Sequence, residues 1–181
     1  KMTKGHTLFL ERVWPLLCPE LGATGLEPVE TTAGGLRLDL MGIDWWILFG
    51  DDRYGVSARV WSYSPQHWIG QPYPFVSVRR QTSRPYCEYH ARVYSVMTGS
   101  QMSDLTVEAF VYGDTIEVVW VRTRELWQSY IDSSPGLPDF ELGSGDRLAK
   151  SVAFDWPFLV DNSLVRGCLK STKKDKTLKN P

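Results

Sequence analysis

Residues 42–61 constrain the fold of this chain more than any other stretch. From Ile43 to Phe49 the residues are almost all apolar, rich in the aromatic and β-branched types that strands favour. Gly50, Asp51, Asp52 and Arg53 make a polar turn, and Tyr54 to Trp61 then alternates. Val56, Ala58 and Val60 fall on one side of that alternation, and Ser57, Arg59 and Trp61 on the other. The pattern predicts a hairpin whose first strand is buried on both faces and whose second is covered on one. Asp44 starts the first strand and Arg59 lies on the second, so a carboxylate and a guanidinium meet on adjacent strands. Two uses are open to such a pair. It can be structural, with Asp44 accepting backbone hydrogen bonds at a strand end and Arg59 pairing with it or with Glu88. It can also be the start of a site that holds a divalent ion against a phosphate.

Upstream, Thr7 to Leu17 predicts a helix, with Leu8, Val13 and Trp14 near one face and Glu11 on the polar side. Pro15 is expected to end it near Trp14 or to kink it there. Pro19 to Gly35 reads as loop, and Leu36 to Leu40 as an alternating, half-buried strand. Downstream of the hairpin, Ser64 to Pro74 reads as a loop rich in aromatics and prolines. Phe75 to Arg80 and Tyr86 to Met97 read as further strands. Leu105 to Tyr112 fits either a short helix or a strand, and Thr115 to Val121 is a strand. Thr123 is expected to cap a helix to about Ile131, with Leu126, Trp127, Tyr130 and Ile131 as its buried stripe. Ser133 to Gly145 reads as loop, and Val152 to Val160 as an apolar segment broken by Pro157. No repeat and no linker divides the chain. The expectation is one α+β domain over residues 1–165, a central mixed sheet flanked by helices, followed by a basic, flexible tail at 166–181.

The chain has 181 residues, 43% of them apolar and eight of them Trp, enough to bury a substantial core. No apolar run approaches the roughly 20 residues of a membrane span, so no membrane partner is expected. The start of the chain lacks the basic region and apolar stretch of a signal peptide, which predicts a cytoplasmic protein. Cys18, Cys87 and Cys168 are far apart and predict free, at least half-buried thiols, and no Cys or His spacing suits zinc. The net charge of −1 conceals an asymmetry: residues 166–181 hold six Lys or Arg against Asp175 alone. A tail of that charge suits phosphate contacts, since each cation that neutralises a phosphate releases a counterion, or serves solubility alone.

The order of elements is a helix bearing Glu11, a loop, a strand opened by Asp44, a turn, and a strand with Ser57 and Arg59 at alternate positions. More strands and a helix follow. Over roughly residues 7–131 this order, with its Gly-Ile-Asp lead into an apolar strand, resembles the PD-(D/E)XK nuclease-like superfamily. The core of that family is a helix, three strands, a helix and a strand. The resemblance implies a restriction-endonuclease-like core and a site for Mg²⁺, with Mn²⁺ able to substitute. It implies Glu11 as the helix acid, Asp44 as the metal-binding Asp, and Ser57-Ala58-Arg59 in the place of the family's acid-x-Lys element. Ser57 stands where the family has a second carboxylate, and Asp39, five residues before Asp44, is the candidate replacement. Arg59 stands where the family has Lys; it can clamp a phosphate but stays protonated and cannot act as a base. The implied function is nucleic-acid processing or binding, in its sharpest form Mg²⁺-dependent phosphodiester hydrolysis, on DNA or RNA.

A second group of residues suits the same substrate. Arg79, Arg80, Arg84 and Arg92 fall near Tyr73, Tyr86, Tyr89 and the loop with His67 and Trp68, and Lys173 and Lys174 add charge in the tail. Arginines position phosphates and aromatic rings stack on exposed bases. The competing expectation is a non-catalytic interaction module that binds a protein partner through the aromatic loop from Pro65 to Pro74.

Overall fold

A helical rod opens the fold, and its prolines set its shape. In the computed structural model, which describes residues 4–29, 42–81, 88–142 and 149–172, helix α1 runs through Lys4–Leu8, a π turn at Phe9–Val13, and Trp14–Leu21. Pro15 has no N–H to give and its ring crowds the carbonyl one turn back. The π turn just ahead of it, closed by the Trp14 N–H donating to the Phe9 carbonyl, widens the backbone, so the rod neither ends nor breaks at Trp14. Gly22, at a φ of 67°, ends it in the left-handed region.

Strands β1 (Gly25–Pro28), β2 (Trp45–Phe49) and β3 (Asp52–Trp61) follow as an antiparallel meander. The hairpin expected at 42–61 is therefore present. Part of the stretch expected as loop from Pro19 belongs instead to α1 and β1, and the strand expected at Leu36 to Leu40 lies outside the described residues. The chain then leaves this sheet. It makes the short helix α2 (Pro65–Ile69), strand β4 (Val76–Gln81) and helix α3 (Glu88–Thr98) before returning as β5 (Leu105–Tyr112), which pairs parallel to β3. Strand β6 (Thr115–Arg122) turns back on β5, helix α4 (Thr123–Ser133) follows, and strands β7 (Asp139–Leu142) and β8 (Ala149–Phe154) join β4 in a second sheet. Helix α5 (Trp156–Asp161) leads into β9 (Val165–Thr172), which closes on β6. The two sheets have the orders β1-β2-β3-β5-β6-β9 and β4-β8-β7. The molecule is a single α+β domain.

Several local expectations are corrected, and the stretches expected as loop at Ser64 to Pro74 and Ser133 to Gly145 hold helix α2 and strand β7. Tyr86 to Met97 is helical from Glu88 onward, because Tyr89, Val93 and Val96 recur at helical spacing and pack on the core between α3, α4 and the small sheet. Thr123 is the first residue of α4, and its hydroxyl bonds Ser103 and Thr106 instead of capping the helix N–H groups. Pro157 sits in the first turn of α5 behind the capping carboxylate of Asp155, so the segment from Val152 divides into a strand and a helix. The basic tail expected from residue 166 begins as β9: Arg166 pairs with Glu125 on α4, and Lys170 with Glu117 on β6. Cys168 on the same strand is exposed.

Alternation sorts the core into layers. Phe9, Val13 and Leu17 of α1 pack on Trp45, Ile47, Val56, Val107, Ala109 and Val118, the face of the large sheet that carries the even-numbered positions of β3. The opposite face carries Arg59 and Trp61 on β3 and Glu108 and Phe110 on β5, and it lies beneath the small sheet. An apolar cluster of Trp61, Phe75, Phe110 and Phe140 seals one end of that interlayer. Its other end is polar.

Candidate functional site

The polar end of the interlayer collects charged side chains from β3, α3, β5 and the residue before β2, with Ser77 of β4 between them. Asp44, just before β2, sends its Oδ2 across the hairpin to accept the Ala58 N–H at 2.8 Å. This is the strand-end role open to it from sequence. Alternation on β3 turns Arg59 away from α1 and toward β4, where its Nη1 donates to Ser77 Oγ at 2.7 Å and to the Ser77 carbonyl at 3.2 Å. Its Nη2 donates to Glu88 Oε2 at 2.8 Å. Glu88 opens α3, one turn before Arg92, whose Nη2 lies 3.7 Å from Glu88 Oε1. Arg92 is 3% exposed and lies against Gly42, where a Cβ would sit 1.5 Å from Nη2. Arg59 and Glu88 remain about a quarter exposed, so the cluster opens to solvent at their ends.

Glu108 on β5 forms the floor. Its carboxylate accepts from Ser77 Oγ at 2.5 Å, from the Ser77 N–H at 3.3 Å and from Trp61 Nε1, and it is 1% exposed. Burial is the largest influence on it and pushes its carboxyl up to about 7, against Arg59 and the donors from Ser77 and Trp61. Asp44 is also raised by burial, partly offset by the Ala58 N–H and by His6 and Arg59. Burial alone would raise Glu88 too, but Arg59 and Arg92 override it and hold the carboxyl below the usual range. Arg59 stays firmly charged: burial works against it, and Glu88, Glu108 and Asp44 more than compensate.

The raised Glu108 carboxyl has a consequence for stability. The folded chain keeps that proton up to about pH 7, whereas the unfolded chain gives it up at the ordinary value of 4.5. Stability from this group is therefore present below pH 4.5 and lost as pH rises through 7, a change of about 3 kcal/mol. Urea unfolding of the parent chain against Glu108→Gln from pH 5 to pH 8 measures it. The difference between the two is expected to slope across that window, and a flat difference rejects the buried carboxyl as a titrating group.

Among the site residues expected from sequence, Asp44, Arg59 and Arg92 come together. Glu11 is exposed on α1, and its carboxylate makes no hydrogen bond or ion pair among the described residues. The α1 residue that acts electrostatically on Asp44 is His6, whose ring stands edge-on to Trp45 with centroids 5.4 Å apart. Arg79 and Arg80 are exposed at the end of β4, with the Arg79 N–H donating to Glu88 and Arg80 over the Tyr89 ring. Arg92 is not a surface contact, because its helix turns it inward onto Glu88. Asp39, Arg84, Lys173 and Lys174 lie outside the described residues. Glu108, Ser77 and His6 were not singled out as site residues. For Glu108 a signal existed, since an acid inside the apolar run Thr106-Val107-Glu108-Ala109-Phe110 on a buried strand demands partners.

Magnesium takes hard oxygen ligands, keeps several waters, and uses one or two carboxylates beside substrate phosphate. Both Glu88 oxygens face guanidiniums, and Asp44 Oδ2 accepts the Ala58 N–H. Among the described residues no three of His, Cys, Asp and Glu converge on a metal-sized site. No family model, curated protein or solved structure matches the chain. No described helix is long and apolar enough to cross a membrane.

Proposed function

We propose that the chain binds nucleic acid on a nuclease-like core, seating a backbone phosphate at the Arg59 end of the charged interlayer, with Mg²⁺-dependent phosphodiester hydrolysis as its reaction. One observation carries this reading. With α2 and β4 inserted between β3 and α3, the order α1–β1–β2–β3–α3–β5 resembles the helix, three strands, helix and strand of the PD-(D/E)XK core, and Asp44, Arg59 and Glu88 lie in one part-open cluster. Arg59 supplies a guanidinium that stabilises charge on the phosphate without exchanging protons. Asp44 would hold the magnesium, which when bound activates a water and polarises the phosphoryl oxygen. Ser77 fixes the angle of Arg59, and the exposed Arg79 and Arg80 extend the positive edge along β4 for neighbouring phosphates.

Incubation of labelled single-stranded and duplex DNA and RNA with the protein, with Mg²⁺, with Mn²⁺ or with EDTA, tests the reaction. Cleavage is expected with either metal and is expected to fall at least a hundredfold in Asp44→Ala, as loss of the ligand removes the metal and its water together. Metal-free cutting, or an Asp44→Ala protein that cuts normally, rejects the hydrolytic mechanism. Binding without cutting leaves a nucleic-acid-binding protein, and its affinity is expected to fall steeply with salt.

The interaction-module reading draws on a different observation. Tyr63 and Tyr73, 54% and 53% exposed, flank α2, with Tyr63 stacked on His67 at 4.3 Å and Tyr73 on Trp156 at 5.8 Å. Exposed tyrosines of this kind make protein contacts at low entropic cost. If no nucleic acid binds at low salt, Tyr63→Ala and Tyr73→Ala are the variants to test against a protein partner.

A further inference from the structure

Arg59 is the meeting point of three carboxylates. Glu88 on α3 pairs with it directly, Asp44 acts on it from the start of β2, and Glu108 acts on it from beneath through β5. Between Glu108 and Arg59 stands one hydroxyl. Ser77 Oγ donates to Glu108 Oε1 at 2.5 Å and accepts from Arg59 Nη1 at 2.7 Å, so its single proton is committed to the carboxylate and its lone pair to the guanidinium. The Trp61 indole closes the far side of Glu108, and the Arg59 guanidinium carbon lies 6.0 Å from the Trp61 ring. Water does not reach the carboxylate to dilute these interactions, since Glu108 is 1% exposed.

We propose that Glu108 is a positioning residue which, acting through Ser77, sets how strongly Arg59 holds an anion, the hold tightening when the carboxyl gains a proton. The inference rests on the phosphate-seating role given to Arg59 above. With Glu108 ionised, three carboxylates face the two guanidiniums of Arg59 and Arg92, and the cluster repels an incoming phosphate. With Glu108 protonated, Asp44 and Glu88 balance the two guanidiniums. The neutral carboxyl can donate to Ser77 Oγ, which leaves Arg59 one fewer anion to serve. The charged groups that bear on Glu108 are Arg59 directly and, beyond it, Glu88 and Arg92 on α3 and Asp44 before β2; Ser77 and Trp61 contribute neutral donors from β4 and β3. Its carboxyl, pushed up by burial to about 7, places the change within the neutral range.

The test uses two anions whose own charge is constant between pH 6 and pH 8: sulfate, and a short oligonucleotide labelled with tetramethylrhodamine, both in EDTA so that nothing is cut. The parent chain is expected to bind each about tenfold more tightly at pH 6 than at pH 8, the size of one negative charge removed roughly 8 Å from the phosphate at an effective dielectric of about 30. Glu108→Gln is expected to lose that dependence and keep the tight binding at both pH values. Ser77→Ala, which leaves the carboxyl in place but removes the relay, is expected to reduce it to less than threefold. The Trp61 indole N–H resonance, assigned from Trp61→Phe, is expected to titrate near pH 7 in the parent and in Ser77→Ala. If Glu108→Gln fails to fold, Ser77→Ala and the indole titration still decide. Sulfate binding that shows the dependence while the oligonucleotide does not bind overturns the nucleic-acid reading and supports the role of Glu108. A parent whose anion binding is the same at both pH values, a Glu108→Gln that retains the dependence, or a protein that takes neither anion at either pH overturns the proposal.

Discussion

Glu88→Ala is expected to lower the unfolding free energy by about 3 kcal/mol, the lower end of what removal of one partner from a buried ion pair costs. The size follows from what is left behind rather than from what is removed. Arg92 is 3% exposed with its guanidinium against the Gly42 backbone, and Arg59 points between two sheets, so neither can recover full hydration once Glu88 is gone. The sign with pH can be worked out. Because the Glu88 carboxyl is held below the ordinary value, its contribution is complete above that value and disappears as the solution is acidified through the folded one. Parent and variant are therefore expected to differ most near neutrality and to converge in acid. Urea denaturation at pH 7 and at pH 3 measures both. A loss under about 1 kcal/mol at neutral pH means that solvent reaches both arginines, and the cluster is then a surface feature. Glu88→Gln keeps an acceptor for Arg59 and is expected to recover a minor part of the loss.

The second large effect lies at the opposite end of the sheet. Gly167→Ala is expected to cost about 3 kcal/mol, the upper end of overpacking penalties. Gly167 stands opposite Trp120 in the β6–β9 ladder, and the indole lies across it so closely that a Cβ would meet the ring at 1.9 Å. The register of β9 shifts just beside this pair, between Trp120 and Val121, so β9 is already bent to let the ring lie down. Trp120 is 7% exposed and packs in the α1 core, which leaves the ring nowhere to rotate. Trp120→Val opens the space, and the pair of substitutions together is expected to cost clearly less than the sum of the two alone. Strict additivity in that cycle shows that β9 yields instead of the ring.

Where the sequence was legible, periodicity and turn chemistry agreed. The 42–61 hairpin has apolar alternation, a Gly-Asp-Asp turn and β-branched residues all pointing one way, and β6 has the same consistency. The α3 segment reads as a strand because Tyr89, Ala91, Val93 and Met97 also alternate. The helical repeat of Tyr89, Val93 and Val96 was equally present, and only the partners that pack on it decide between the two. The strand reading conceals part of the site. On a strand, Glu88 and Arg92 share a face with His90; on a helix they share it with each other, one turn apart, and so bracket Arg59. The pairing of Arg59 with Glu88 was visible as an alternative, as was the backbone hydrogen bond to Asp44. For Glu108 the apolar run around it signals only that an acid there needs partners; that Ser77 and Trp61 supply them follows from the second sheet packed over β5.

The sheets are woven through one another. After β3 the chain crosses to lay down β4, and after β6 it crosses again for β7 and β8, each time coming back to extend the large sheet. During synthesis, then, β1 to β3 wait with an open edge until β5 emerges. Strand β4 waits much longer for β8, and β6 until β9 is out at residue 172. A ribosome stalled before residue 149 holds a polypeptide with five of the six large-sheet strands made but β4 still without β8, so the Val76 and Val78 surfaces are uncovered, a natural client for a holding chaperone. Protection from protease is expected to arrive late and all at once as translation passes β9, not in two steps.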